Sequence, residues 1–226
     1  MLLQLPDVLS SAEVEAFRAR LAGAEWVDGR ATAGHQSAQV KRNHQLAVED
    51  PLAVELGERI ARALGQMPDF VSAALPKRIY PPMVSRYRAG SGERFGTHVD
   101  NAIRYDPRGT MRADLSATLF LSDPESYDGG VLTIEDQFGP RGVKLPAGHM
   151  VLYPSSSLHS VAPLTRGERV TAVFWVQSLI RDEVVRRSLF DLDRAIQSIA
   201  GEWPDDPRVL ALTNVYHNLV RASAEP

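Results

Sequence analysis

Four residues between Gly96 and Arg169 could together do chemistry: His98 and Asp100 in Thr97-His98-Val99-Asp100, His159 in Leu158-His159-Ser160, and Arg169 ten positions later. On a β-strand successive side chains alternate faces, so His98 and Asp100 would point the same way, about 7 Å apart along the strand. A distal histidine on a later strand would add a second imidazole, giving two histidines and one carboxylate on one side of a metal. That donor set leaves positions open on a non-haem Fe(II) for a co-substrate and O2. An arginine on the following strand, aimed into the same cavity, is a fork suited to the far carboxylate of a dicarboxylate such as 2-oxoglutarate. H-x-D alone is a short pattern common to many chains; the conjunction carries the signal.

The elements that must position these residues follow from periodicity. Ser10-Ser11-Ala12-Glu13 has the form of a capping box, and Val14, Phe17 and Leu21 recur at helical spacing, which predicts a helix from about Ser11 to Ala22. Residues 26–46 read as a loop with one edge strand. Asp50-Pro51 opens a second helix, with Leu52, Leu56, Ile60 and Leu64 on one face until Gly65. From Lys77 the rhythm becomes short β runs broken by turn residues: 78–88, 94–100, 112–122, 130–135, 141–145, 149–154, 158–162 and 168–179. Such punctuation predicts a mainly β fold, a double-sheet jelly roll, rather than a parallel α/β sheet. After Ser178, Val185, Leu189, Leu192, Ile196 and Ile199 mark a third helix, and Val209, Leu212, Tyr216 and Leu219 a fourth. The expected organisation is an N-terminal helical segment (1–76) packing on the sheet, a jelly-roll domain (77–180) and a C-terminal helical extension (181–226).

Composition narrows the class. A chain of 226 residues can bury one sizeable core, and a formal net charge of -3 gives no electrostatic footprint for nucleic acid. Zero cysteines exclude disulfides and thiolate zinc sites and fit a reducing compartment. The N-terminus lacks the form of a signal peptide, and no stretch approaches the ~20 apolar residues of a membrane span. The expectation is a cytoplasmic protein without a nucleic-acid or membrane partner.

With these features in place, the chain resembles the Fe(II)/2-oxoglutarate-dependent dioxygenases and, more narrowly, the bacterial PKHD-type hydroxylases, relatives of the prolyl and lysyl hydroxylases. The resemblance rests on Ser85-Arg86-Tyr87, Gly96-Thr97-His98-Val99-Asp100, the run Asp114 to Ser122, Tyr127-Asp128-Gly129-Gly130, Leu158-His159-Ser160-Val161 and Gly167-Glu168-Arg169. It implies Fe(II) held by His98, Asp100 and His159, and 2-oxoglutarate held through its C5 carboxylate by Arg169. Tyr87 is a further candidate partner of the co-substrate, with core packing as its alternative. The implied reaction consumes O2, releases succinate and CO2 and hydroxylates an unactivated C–H of an unidentified substrate, with L-ascorbate rescuing oxidised iron. A prolyl or lysyl side chain of a peptide and a small molecule both remain open as substrate.

The alternative of another class is a non-enzymatic, cupin-like metal or 2-oxoglutarate sensor. Arg169 argues against a pure metal-binding module, Asp100 against halogenation, and the lack of an H-E-x-x-H helix against a zinc hydrolase. By alternation Thr171 shares the Arg169 face, and Ser116, Thr118, Phe120 and Trp175 belong to the cavity lining. His35, His44, His149 and His217 lie outside the pattern. The loop from Asn101 to Arg112, with a turn at Asp106-Pro107-Arg108-Gly109, brings Arg104, Arg108 and Arg112 toward the mouth. With Arg86 and Arg88 they could form a rim attracting an anionic substrate. The C-terminal apolar stripe needs a partner, within the subunit or in a homodimer.

Overall fold

Glu168–Ser178 is the longest strand, and its two faces divide the molecule. Val170, Ala172, Phe174 and Val176 are buried in the core shared with the helices, while Arg169, Val173 and Trp175 border an internal cavity. This is the period-2 alternation of a strand covered on both sides. Its antiparallel neighbour Leu115–Phe120, buried throughout, divides the same way. Leu115, Ala117 and Leu119 join the helix-side core, and Ser116 and Thr118 line the cavity.

The computed structural model describes residues 1–106 and 109–226. Its larger sheet runs in the spatial order Leu3–Leu5, Met150–Pro154, Leu115–Phe120, Glu168–Ser178, Met83–Arg88, His44–Gln45 and Val27–Asp28, with Pro76–Ile79 pairing beyond Met83–Arg88 on the long strand. The smaller runs Gly139–Val143, Leu132–Asp136, His159–Val161, Arg94–His98 and Lys41–Arg42. Tyr87, Phe120, Val151 and Tyr153 from the first meet Leu132, Ile134, Val143 and Val161 from the second. Two antiparallel sheets closed over a shared core make the expected jelly roll.

Helices cover the outer face of the larger sheet. Helix α1 (Ser11–Leu21) starts at a complete Ser10/Glu13 capping box. A short α2 (His35–Val40) precedes α3 (Pro51–Gly65), which is capped by Asp50 and begins with proline. Leu56, Ile60 and Leu64 of α3 are fully buried against the sheet, each contributing about 1.5–3 kcal/mol. Helix α4 (Pro68–Ala74) ends at Leu75 in the left-handed region and leads into the barrel; α5 (Glu183–Glu202) packs on α4, and α6 (Pro207–Ser223) on α5. No helix among the described residues is long and apolar enough to cross a membrane.

Several boundaries differ from the sequence expectation. The run 78–88 is two strands, Pro76–Ile79 and Met83–Arg88, because Pro81 and Pro82 interrupt the ladder; both pieces pair with Glu168–Ser178. The 94–100 run stops at His98. Residues 26–46 hold three two-residue strands, a 3-10 turn and α2, and the segment after Asp100 forms a hairpin, Ile103–Asp106 with Gly109–Arg112. Leu3–Leu5 and α4 had no clear local signature, the first being three residues long and the second only two turns.

Candidate metal and co-substrate site

His98, last residue of Arg94–His98, faces His159, first residue of His159–Val161, across an antiparallel ladder, with ring centroids 4.2 Å apart. Asp100 lies beyond the strand end, so strand alternation does not set its direction as the sequence reading supposed. Its carboxylate is steered from another sheet: Ser116 Oγ donates to Asp100 Oδ2 at 2.6 Å and lies 2.8 Å from Ser155 Oγ. One ligand atom from each of His98, Asp100 and His159 lies within 4.8 Å of the others, a group that could hold a metal ion.

The ring orientations fit a metal. His98 Nδ1 is 2.9 Å from the Gly96 carbonyl and His159 Nδ1 is 3.0 Å from the Ser157 carbonyl. A carbonyl only accepts, so in each neutral ring the proton sits on Nδ1 and the Nε2 lone pair is left for a ligand. Burial, then the neighbouring His159, lowers the His98 pKa to about 4, holding the neutral form that metal binding requires. Phe95 stacks on His98 with centroids 3.5 Å apart and restrains its ring. Gly96 permits this strand to pass α2, since a Cβ there would stand 2.9 Å from Val40 Cβ.

Arg169 is 1 % exposed, and no carboxylate pairs with it among the described residues. Nη1 donates to Thr171 Oγ1 at 3.3 Å, while Nε and Nη2 are buried without a partner. Its guanidinium packs 5.5 Å from the Tyr87 ring centroid and 5.2 Å from that of Phe120, and burial lowers its pKa. Room for its stem comes from Gly130, at φ +62°, where a Cβ would sit 3.1 Å from Arg169 Cδ. A buried guanidinium with two unsatisfied donors calls for an oxyanion. Tyr87, opposite Arg169 in the ladder, lines the same cavity; burial raises its pKa to about 12, which keeps it a donor. The buried Tyr127 hydroxyl also lacks a partner.

The structure thus brings together His98, Asp100, His159, Arg169 and Tyr87, with Ser116, Thr118 and Trp175 along the wall. His44 contacts Glu93 at 3.1 Å and His149 approaches Asp7 at 3.5 Å; these two, His35 and His217 join no metal-ligating group among the described residues. The expected arginine rim is largely committed elsewhere. Arg86 stacks on Trp26, Arg88 reaches Glu93, and Arg112 is held by Asp114 and Glu225. Arg108, with Pro107 of the expected turn, lies outside the described residues. Of the four that are described, Arg104 alone borders the cavity, with its guanidinium 3.6 Å from the Trp175 ring centroid.

Sequence reasoning missed Ser116 as the partner of Asp100 and missed Lys41 altogether. Lys41 is 4 % exposed, with Nζ donating to Thr32 Oγ1 at 3.1 Å; burial, then the charge of Arg104, lowers its pKa to about 8. Its burial comes from pairing with Phe95, a partner 54 residues away that no local pattern announces.

Comparison with known proteins agrees with this geometry. Residues 82–177 match the 2OG-Fe(II) oxygenase superfamily and residues 184–225 the PKHD-type hydroxylase C-terminal domain. A PKHD-type hydroxylase of Methylobacillus flagellatus is 56% identical over 229 residues, covering 100% of both chains. Among solved structures, the Trichoplax adhaerens prolyl hydroxylase in complex with a hypoxia inducible factor peptide fragment superposes with TM-score 0.56 at 14% identity, over 83% of this chain and 86% of that one. HygX from Streptomyces hygroscopicus, with nickel, 2-oxoglutarate and hygromycin B bound, gives TM-score 0.52 at 18% identity, over 79% and 84%. These two likenesses bear on the fold.

Proposed function

Because the chain belongs to the PKHD-type hydroxylases of the 2OG-Fe(II) oxygenase superfamily, we propose that His98, Asp100 and His159 hold its Fe(II) and that Arg169, with Tyr87, receives 2-oxoglutarate. The observation that carries the assignment is the coincidence, in one cavity, of three convergent ligand atoms and a buried arginine with two unsatisfied donors. Fe(II) bound there supplies the oxidative chemistry of the family: O2 and 2-oxoglutarate are consumed, succinate and CO2 leave, and a substrate C–H is hydroxylated.

The chain's own residues bind, orient and exclude water. Gly96 and Ser157 fix the tautomers of the two histidines, and Ser116 fixes the carboxylate. Arg169 and the Tyr87 phenol together suit one carboxylate, and their burial strengthens that recognition by lowering the local dielectric. Leu132, Tyr153 and Val161 wall the chamber, Phe120 packs against the Arg169 guanidinium, and together they keep bulk water out.

The same reading extends to partners and organisation. Substrates are small molecules or peptides rather than nucleic acid, with L-ascorbate maintaining the iron and a cytoplasmic setting supported by the lack of cysteines. Residues 1–76, 77–180 and 181–226 act as an N-terminal segment, a catalytic jelly roll and a helical extension. Leu210, Val215 and Leu219 of α6, all exposed, support a homodimer contact. Succinate release from 2-oxoglutarate, dependent on Fe(II) and abolished in His98→Ala, tests the reading; undiminished release by that variant would refute the ligand assignment.

A further inference from the structure

Apart from the two imidazoles, the cavity wall carries Lys41, Arg104 and Arg169 against a single carboxylate, Asp100. A divalent metal and a 2-oxoglutarate dianion would cancel one another, and Arg169 would offset Asp100. Lys41 and Arg104 would remain uncompensated. Neither makes an ion pair with a carboxylate among the described residues: Lys41 Nζ bonds only Thr32 Oγ1 and lies 5.4 Å from the Phe95 ring centroid, and Arg104 is stacked on Trp175 and set 5.1 Å from the Tyr80 centroid. Lys41 is buried and Arg104 half-buried, and taking an unpaired cation out of water is costly unless a ligand supplies the counter-charge. The Trp175 indole Nε1 beside Arg104 is buried without an acceptor.

The position of Trp175 and Arg104 separates them from Arg169. Trp175 lies six residues along the strand from Arg169, about 20 Å at strand rise. It pairs directly with Ser116, the residue that holds Asp100. Arg104, stacked on Trp175, therefore sits at the Asp100 end of the cavity, away from Arg169; Lys41 lines the same cavity from the smaller sheet, and both cations feel the Asp100 charge. Met83 and Val173 supply apolar wall at this end.

We propose that Lys41, Arg104 and the Trp175 indole N–H form a second anion subsite, which takes a carboxylate on an otherwise apolar primary substrate and holds it beside the metal. The inference rests on the co-substrate assignment above and adds the substrate's chemical class. An uncharged prolyl ring or a cationic lysyl side chain would leave both cations unmatched, so the recognised group is anionic wherever the hydroxylated carbon lies.

The test is calorimetric titration of the full-length protein, saturated with Mn(II) and 2-oxoglutarate, with benzoate and with its uncharged isostere benzamide. Benzoate should bind at least about tenfold more tightly than benzamide, and Arg104→Met and Lys41→Met should each remove about tenfold of that affinity. Arg104→Lys, which keeps the charge, should retain most of it. Affinity for 2-oxoglutarate, measured first on each variant, reports an intact site; should Lys41→Met lose it, the Arg104 pair on the outer hairpin decides. Benzoate and benzamide binding alike to wild type, or benzoate binding unchanged by Arg104→Met, would overturn the subsite while leaving the co-substrate reading in place. Failure of wild type to bind 2-oxoglutarate at all would overturn that reading, and the subsite with it.

Discussion

Ser116 Oγ donates a 2.6 Å hydrogen bond to Asp100 Oδ2 from a strand in the opposite sheet. The carboxylate lies past the end of its own strand, so this bond, backed by Ser155, selects the orientation that faces the histidines. Removing such a supporting partner from a metal ligand commonly costs 10–100-fold in metal affinity, so Ser116→Ala should weaken Mn(II) binding by about that factor. Affinity unchanged by the substitution would mean that the loop after His98 orients Asp100 unaided.

Arg169 gives a thermal signature. Its buried, unsatisfied donors make the co-substrate a stabilising ligand: at a concentration about 100 times its dissociation constant, 2-oxoglutarate should add roughly 2.7 kcal/mol to unfolding. At that same 2-oxoglutarate concentration, with metal present, Arg169→Met should lose most of the shift. An undiminished shift in that variant would move the carboxylate clamp elsewhere.

Lys41 predicts an unusual pH dependence. Its folded pKa of about 8 lies below the ordinary 10.5, so the unfolded chain binds the proton more tightly than the folded one. The burial penalty is present in full below pH 8 and is relieved as pH rises from 8 toward 10.5. Lys41→Met should therefore be more stable than wild type near pH 7, by a difference on the order of 3 kcal/mol that shrinks across that interval. Thermal melts at pH 7 and pH 10 measure it; a pH-independent difference would contradict the assignment.

The C-terminal extension should be needed for a soluble enzyme. Leu189, Phe190 and Ile196 of α5 are buried, and Asp193 and Arg194 tie the helix to Ser72 and Asp69 of α4. Three such side chains at about 1.5–3 kcal/mol each are comparable with the roughly 5–15 kcal/mol that holds a domain folded, so truncation after Ser178 should give aggregated protein. A soluble truncation with full succinate release would contradict this.

What could be read from the sequence was what local chemistry dictates. Ser10 and Glu13 announce the start of α1, Asp50-Pro51 that of α3, and the alternation in Glu168–Ser178 places Arg169 and Trp175 on the cavity side. The three metal-ligand candidates stand out because few residue types bind Fe(II), and the structure brings them together. Long-range facts stayed hidden. Arg112 looks like a rim residue until Glu225, 113 positions away, reaches it, and Lys41 looks like surface until Phe95 pairs with it. The expected reach of strand alternation to Asp100 failed because the strand stops at His98, and a serine from another sheet does the positioning.

The central claim is that one cavity holds Fe(II) on His98, Asp100 and His159 and 2-oxoglutarate on Arg169. Anaerobic addition of Fe(II) and then 2-oxoglutarate, followed by visible absorption, tests it most directly, since the charge-transfer band arises only when the 2-oxo acid chelates the bound metal. Wild type should develop the band with one equivalent of each; His98→Ala and Asp100→Ala should not, and Arg169→Met should need far more 2-oxoglutarate. A band of wild-type intensity in the His98→Ala, Asp100→Ala double variant would contradict the account.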